Sequence, residues 1–346
     1  MKKTSRPIQF LRLSICFVLL LTLVPFEASA WGRKGHHVVA RIAFNHLSAK
    51  SKAAITKLLQ ADQNDKEQCA QQSSLVDKFA CISTWADAVR RDPGFTQTAS
   101  NHFVNIPVFV PAAQRHYDAN RDCASKDCII AAIESNRAIL ADGSKPAAAR
   151  VQALKFLVHF LGDLHQPLHN VMDKDLDAAN PENQGRFQDK GDRGGNLKLV
   201  NWLGETSSLF GCWNLHAVWD DGLFDGIKEN DTALAQSLDA KLTTSQIAKL
   251  SKGDVVAWSE EGLKLAISKV YKLPKRNPND KACEVRKPDS QFRECRSQDC
   301  QDSEIHYRYT LDTKYRDKNV PVVKSQLSSG GIRLAHFLNT IFDAMP

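Results

Sequence analysis

Two stretches of the chain share one spacing. "HFLGD" sets His159 and Asp163 four residues apart, and "HAVWD" does the same for His216 and Asp220. On a helix that interval stacks both side chains on one face. Neutral imidazole beside carboxylate is a donor set for a borderline-soft divalent metal ion. A single such pair reads better as an ordinary intrahelical hydrogen bond; two pairs in one helical chain shift the reading to metal. The first pair lies within "VQALKFLVHFLGDLH" (151–165), which is apolar nearly all round, so its carboxylate needs a compensating charge.

Further donors surround these pairs. "HQPLH" supplies His165 and His169, with Pro167 expected to stop the helix and let His169 swing back toward the same place. "STWADAVRRD" carries Asp87 beside a tryptophan, and Arg90 follows three residues later. "NHFVNIP" holds His102 and then Phe103, and "ASAWGRKGHHVVA" holds His36. Singly, each of these reads as a surface residue or a satisfied one. Their order and spacing give them collective weight.

The elements that must position them are helices. "HHVVARIAFNHL" (36–47) places Val38, Val39, Ile42, Ala43 and Leu47 on one stripe. "AIESNRAIL" (132–140), 151–165, "VVAWSEEGLKLAISKVY" (255–271) and "GGIRLAHFLNTIF" (331–343) follow, the second of these as a buried central helix. Strand-like alternation is scarce, and "NLKLVNWL" (196–203) is its best instance, read as one arm of a short hairpin. Residues 173–195 read as a polar loop, and 274–321 as a charged, disulfide-tied surface excursion. No repeat or low-complexity linker divides the chain. The expectation is an all-α fold: a single compact multi-helix domain with at most a short β-hairpin.

Residues 1–30 read as a secretory signal: Lys2, Lys3, Arg6 and Arg12, then the apolar run "LSICFVLLLTLV" (13–24), then "ASA". The run is too short to span a membrane comfortably. Cleavage after Ala30 would start the mature protein at Trp31, with 31–346 as the catalytic domain. The four leader cations less Glu27 account for +3 of the formal charge of +7, leaving +4. That permits a polyanionic partner without announcing one. Of nine cysteines Cys16 lies in the leader, and the remaining even number suggests disulfides in an exported protein, with Cys123–Cys128 the first expected pair.

These elements together resemble the S1/P1 nuclease family. The matching motifs are W-G-x-x-G-H (Trp31–His36), W-A-D (Trp85–Asp87), H-F-V-N (His102–Asn105), H-F-x-G-D-x-H-Q-P-L-H (His159–His169), G-G-N (Gly194–Asn196) and N-L-H-x-V-W-D (Asn214–Asp220). They run in family order across nearly the whole mature chain. The resemblance implies three zinc ions. One would be held by Asp87, His102, His159 and Asp163. A second would share Asp163 and add His36 with the amino nitrogen and carbonyl oxygen of Trp31. The third would use His169, His216 and Asp220. Composition and spacing do not supply this grouping; the family pattern does.

The resemblance further implies in-line hydrolysis of single-stranded DNA and RNA to 5′-phosphate products, with 3′-nucleotidase activity. Phe103 matches the residue on which a base stacks, and Arg90 and Asn196 match positions that contact phosphate or order the site. Asn105 stands where many relatives carry an aspartate read as orienting the attacking water, and an amide can hold a water without taking its proton. His37, His46, His116, His165, His306 and His336 have no ligand match, and His165 is expected to support the ligands from behind. A zinc-dependent phospholipase C is the alternative; its first histidine stands much further from the tryptophan, and its last ligand pair ends in Glu where this chain has Asp220. The enzyme is expected to be a monomer, secreted or periplasmic, with no stable membrane association after signal cleavage.

Overall fold

Helix α7 (Ala147–Asp163) fixes the architecture, because every residue from Ala153 to Asp163 is buried. A helix apolar on all sides must be wrapped by others. The computed structural model describes residues 31–173, 191–196, 198, 200–205, 207–208, 211–274 and 309–345. The first half supplies α1 (Arg33–His46), α2 (Ala49–Gln60), α3 (Leu75–Cys81), α4 (Trp85–Val89), α5 (Ala119–Asp122) and α6 (Ile129–Ala141), of which α1, α2, α4 and α6 pack on α7. The second half supplies α8 (Leu215–Asp220), α9 (Asp231–Asp239), α10 (Thr244–Leu250), α11 (Val255–Leu265) and α12 (Thr313–Asp343). α6 packs along α7, while α1 lies against α12, α9 and α3. The fold is all-α, as expected.

Strand content is small but differs in detail from the expectation. The segment around 196–203 yields β1 (Val200–Trp202), which pairs in parallel with β4 (Tyr309–Leu311), Val200 opposite Tyr309. Its ladder partner lies far along the chain, which alternation cannot reveal. An antiparallel bridge from Trp202 to Glu205, with the bonds Val200 N to Trp213 O and Leu215 N to Lys198 O, ties the same segment to the residues that follow it. The hairpin is formed by β2 (Ser207–Ser208) and β3 (Gly211–Cys212).

The last helix is longer than the 331–343 predicted from periodicity. Asp312 caps it through Lys314 and Tyr315, and Pro321 sits inside it. Tyr315, Asn319, Val323 and Leu327 are buried at i, i+4 spacing, but Pro321 and the intervening Lys, Arg and Asp residues hide that stripe in the sequence. The excursion assigned to 274–321 therefore ends in a strand and the start of this helix; residues 275–308, with Cys283, Cys295, Cys300 and His306, lie outside the described residues, as does the leader. Cys123–Cys128 forms as expected, with a second bridge at Cys69–Cys81.

Two buried cations brace α7 and the turn that follows it. Lys155 Nζ donates to Asn64 O at 2.6 Å, pairs with Asp62, and lies over the Trp85 ring. Arg333 of α12 donates to Leu250 O at 3.2 Å and Glu261 at 2.5 Å, and stacks over Trp258. Its Nη1 also reaches His165 Nε2 at 3.2 Å, while His165 Nδ1 donates to Leu161 O. His165 Nε2 must therefore accept from arginine. His165 thus serves the core, facing Trp258 and Arg333 rather than supporting the other histidines. Arg333→Met should leave the buried His165 acceptor without a donor and cost about 1–3 kcal/mol. The check is urea unfolding, with the midpoint lowered and the slope unchanged.

Candidate metal centre

The sequence-predicted donors come together from six separate segments. His36 projects from α1, Asp87 from α4, and His159 and Asp163 from α7. His102 ends the 3₁₀ segment Thr96–His102, His169 lies in the 3₁₀ turn Pro167–Asn170, and α8 carries His216 and Asp220. Pro167 does what its position predicts: α7 stops at Asp163 and His169 folds back. Their side-chain donor atoms form three tight groups: His36 with Asp87 and His159; His102 with His159 and Asp163; and His169 with His216 and Asp220.

Asp163, a member of the second group, also reaches the histidines of the first. Its Oδ1 lies 3.2 Å from His36 Nε2, and its Oδ2 lies 2.9 Å from His102 Nδ1 and 3.2 Å from His159 Nε2. Asp87 Oδ1 stands 3.8 Å from His102 Nδ1 and 3.7 Å from His159 Nε2. The His36 and His159 rings stack with centroids 4.1 Å apart. Gly162 makes that approach possible, since a Cβ there would stand 2.7 Å from His36 Nδ1. Burial acts to lower His159, but the Asp163 and Asp87 carboxylates outweigh it and hold the imidazole up to about 9. Against the same burial, His159 first and then hydrogen bonds from His102 and His159 hold Asp163 well below the usual carboxylate range.

Backbone carbonyls set the ring orientations. His159 Nδ1 lies 2.6 Å from Ser83 O, His169 Nδ1 2.6 Å from His102 O, and His216 Nδ1 2.8 Å from Gly194 O. A carbonyl only accepts, so each Nδ1 carries the hydrogen and, in the neutral ring, each Nε2 is a bare lone pair. Gly194 is required for this, because it holds φ at +61° and a Cβ would meet Leu168 O at 2.3 Å.

In the third group the consequence is severe. His169 Nε2 and His216 Nε2 face each other at 3.0 Å, with Asp220 Oδ2 3.3 Å from the latter. Burial pushes His169 down to about 4 and His216, by burial and then by its neighbour His169, down to about 3. Both are neutral near pH 7, so no proton sits between them. Burial, then the neighbouring Asp221, drives Asp220 well above its ordinary range. Its Oδ2 is buried without a hydrogen-bond partner, as is Asp87 Oδ1. Two lone pairs and a carboxylate oxygen converging in a water-poor site fit a bound cation, and these His/Asp groups could hold metal ions.

The remaining predicted residues lie around this centre. Arg90 Nη1 is 3.4 Å from Asp87 Oδ1. Trp31 is buried, edge-on to Phe224, and Gly32 N donates to the main chain of Asp220. Asn196 donates to Arg193 O within the turn whose Gly194 orients His216. Phe103, 37% exposed, and Asn105 line a cavity of about 130 Å³ with Ser100, Val104, Asp122, Asp127 and Cys128. No hydrogen bond among the described residues ties Asn105 to the His/Asp groups. His37 and His46 pair with Asp231 and Asp239, away from the centre. Sequence reasoning missed Gln166, whose Nε2 donates to Asp220 Oδ1 at 2.8 Å. An uncharged amide beside a proline offers no metal-site signature.

Comparison with known proteins agrees with the geometry. A family model described as S1/P1 Nuclease matches residues 31–343. Endonuclease 3 of Arabidopsis thaliana is 30% identical over 96% of this chain and 96% of its own length. Nuclease P1 of Penicillium citrinum is 27% identical over 90% of this chain and 97% of its own. Nuclease S1 of Aspergillus oryzae is 30% identical over 56% of this chain and 54% of its own. With a matched region that contains every donor of the three groups, this chain belongs to the S1/P1 nuclease family and is a nuclease.

Proposed function

We propose that the chain is an exported three-zinc phosphodiesterase that cuts single-stranded DNA and RNA to 5′-phosphate products and also removes 3′-phosphates from nucleotides. The observation that carries the metal reading is the meeting of the His169 and His216 lone pairs at 3.0 Å beside Asp220. Asp87, His102, His159 and Asp163 would hold one zinc. Asp163, His36 and the main chain of Trp31 would hold a second, and His169, His216 and Asp220 a third. When bound, the zinc ions supply Lewis acidity toward phosphate and a water acidic enough to react near neutral pH.

The chain's own residues set substrate and geometry. Phe103 offers an exposed ring on which any base can stack, and a base can use it only when unpaired. Asn105 shares the Phe103 cavity. Its amide is therefore better read as a partner for the edge of the stacked base than as a holder of the attacking water. Arg90 stands 3.4 Å from Asp87 Oδ1 at the edge of the centre, and its planar guanidinium suits a phosphate oxygen there. Asn196 keeps the His216-holding turn in shape. All side-chain donors come from one chain, so a monomer suffices.

Residues 1–30 would be removed, sending 31–346 to the periplasm or outside the cell. Two disulfides suit that destination, and among the described residues no helix is long and apolar enough to cross a membrane. Cleavage would also release the Trp31 amine, and an uncut peptide nitrogen is a poor ligand.

Three experiments test this reading. Metal analysis of the mature protein should find three zincs, and a chelator should abolish hydrolysis of single-stranded DNA and RNA; cleavage of phosphatidylcholine without cleavage of nucleic acid would sink the proposal. Mature protein made with one extra alanine before Trp31 should lose a zinc and its activity; full zinc content at an unchanged rate would show that Trp31 is misread. Phe103→Ala should raise KM by roughly 5- to 150-fold, from the about 1–3 kcal/mol that a stacked base contributes, while zinc content stays constant.

A further inference from the structure

Gln166 is fully buried, immediately before the turn Pro167–Asn170 that carries His169. Its Oε1 accepts from Leu168 N at 2.6 Å. A backbone N–H can only donate, so this contact settles which end of the amide is oxygen. Nε2 is thereby aimed the other way, and it donates to Asp220 Oδ1 at 2.8 Å. The second carboxylate oxygen, Oδ2, is the buried one without a hydrogen-bond partner, and it is the oxygen nearest His216 Nε2.

From this geometry we infer that Gln166 is a positioning residue for the His169–His216–Asp220 metal site, a role that rests on the metal reading above. A carboxylate can rotate about Cβ–Cγ and present either oxygen. The Gln166 donor occupies Oδ1 and commits Oδ2 to the cation. Glutamine suits the task because it donates a hydrogen bond without adding charge, so the full negative charge of Asp220 stays available to the metal. A lysine at the same place would neutralise the ligand it was meant to orient. Gln166 also ties two ligand-bearing segments together: one end of its amide holds the turn with His169, and the other holds Asp220 on α8.

The test uses the mature zinc-loaded protein and the variants Gln166→Met and Gln166→Glu. Zinc affinities are measured by titration with a graded series of chelators, with circular dichroism as the check on folding. Gln166→Met should weaken one of the three zincs by about 10–100-fold and leave the other two unchanged. Gln166→Glu should fall further, because its carboxylate would face Asp220 across the same gap. In an Asp220→Ala background Gln166→Met should add nothing, a non-additivity that a purely structural role would not produce. The proposal is overturned if Gln166→Met keeps all three affinities, or if both variants lose the fold, which would make Gln166 part of the scaffold. Wild-type protein that retains no zinc would fail the metal reading instead, so the two failures are distinguishable.

Discussion

Three carboxylates and five imidazoles occupy one buried region, and their mutual placement is tolerable only with positive charge among them. Asp163 and Asp220 are fully buried, and Arg90 contributes its guanidinium at the Asp87 edge. Stripping such groups of water costs several kcal/mol apiece unless partners compensate. Cation binding and folding are coupled in a site of this kind, because the arrangement that binds metal is the arrangement the apo chain resists. The central position of α7 follows: two donors fixed on one rigid, wholly buried helix give the others a reference against which to assemble. Lys155 and Arg333 brace that helix and the turn beyond it from two sides, each satisfied by backbone carbonyls as well as carboxylates.

The irregular segments are as necessary as the helices. Three histidines are oriented by the carbonyls of Ser83, His102 and Gly194, and each of those lies in a 3₁₀ segment or a turn. Inside an α-helix the carbonyls are already committed to i→i+4 bonds, so an orienting acceptor is most readily found where a helix has stopped. The short 3₁₀ pieces around the centre are places where the chain gives up regular bonding to aim an oxygen at a ring.

Much of this was legible in the sequence. The i, i+4 pairs His159/Asp163 and His216/Asp220 put both donors on one helical face, and both pairs converge with partners. Pro167 predicted the return of His169, and the apolar run around α7 predicted its burial. What stayed hidden depends on contacts distant in sequence or on residues without a signature. β1 could not announce a parallel partner at 309–311, and Pro321 concealed the first half of α12. His165 looked like support for the metal groups because it lies between two of their members, yet Leu161 O and Arg333 turn it to the core. Gln166 was invisible for the opposite reason, since its importance lies in one hydrogen bond across a gap.

The bond from His169 Nδ1 to the carbonyl of His102 joins two of the His/Asp groups through one peptide plane, and the next residue on that plane is Phe103. A ring of one group, a ring of another and the exposed aromatic thus share a single rotational coordinate. Tilting the 102–103 peptide to move the Phe103 ring would also tilt the acceptor that aims His169. The orientation of the His169 ring and the placement of the Phe103 ring are therefore not independent variables in this protein. The cavity beside Phe103 could change shape through its walls, at Asn105 or Asp127, without disturbing His169, whereas a shift of the 102–103 peptide could not.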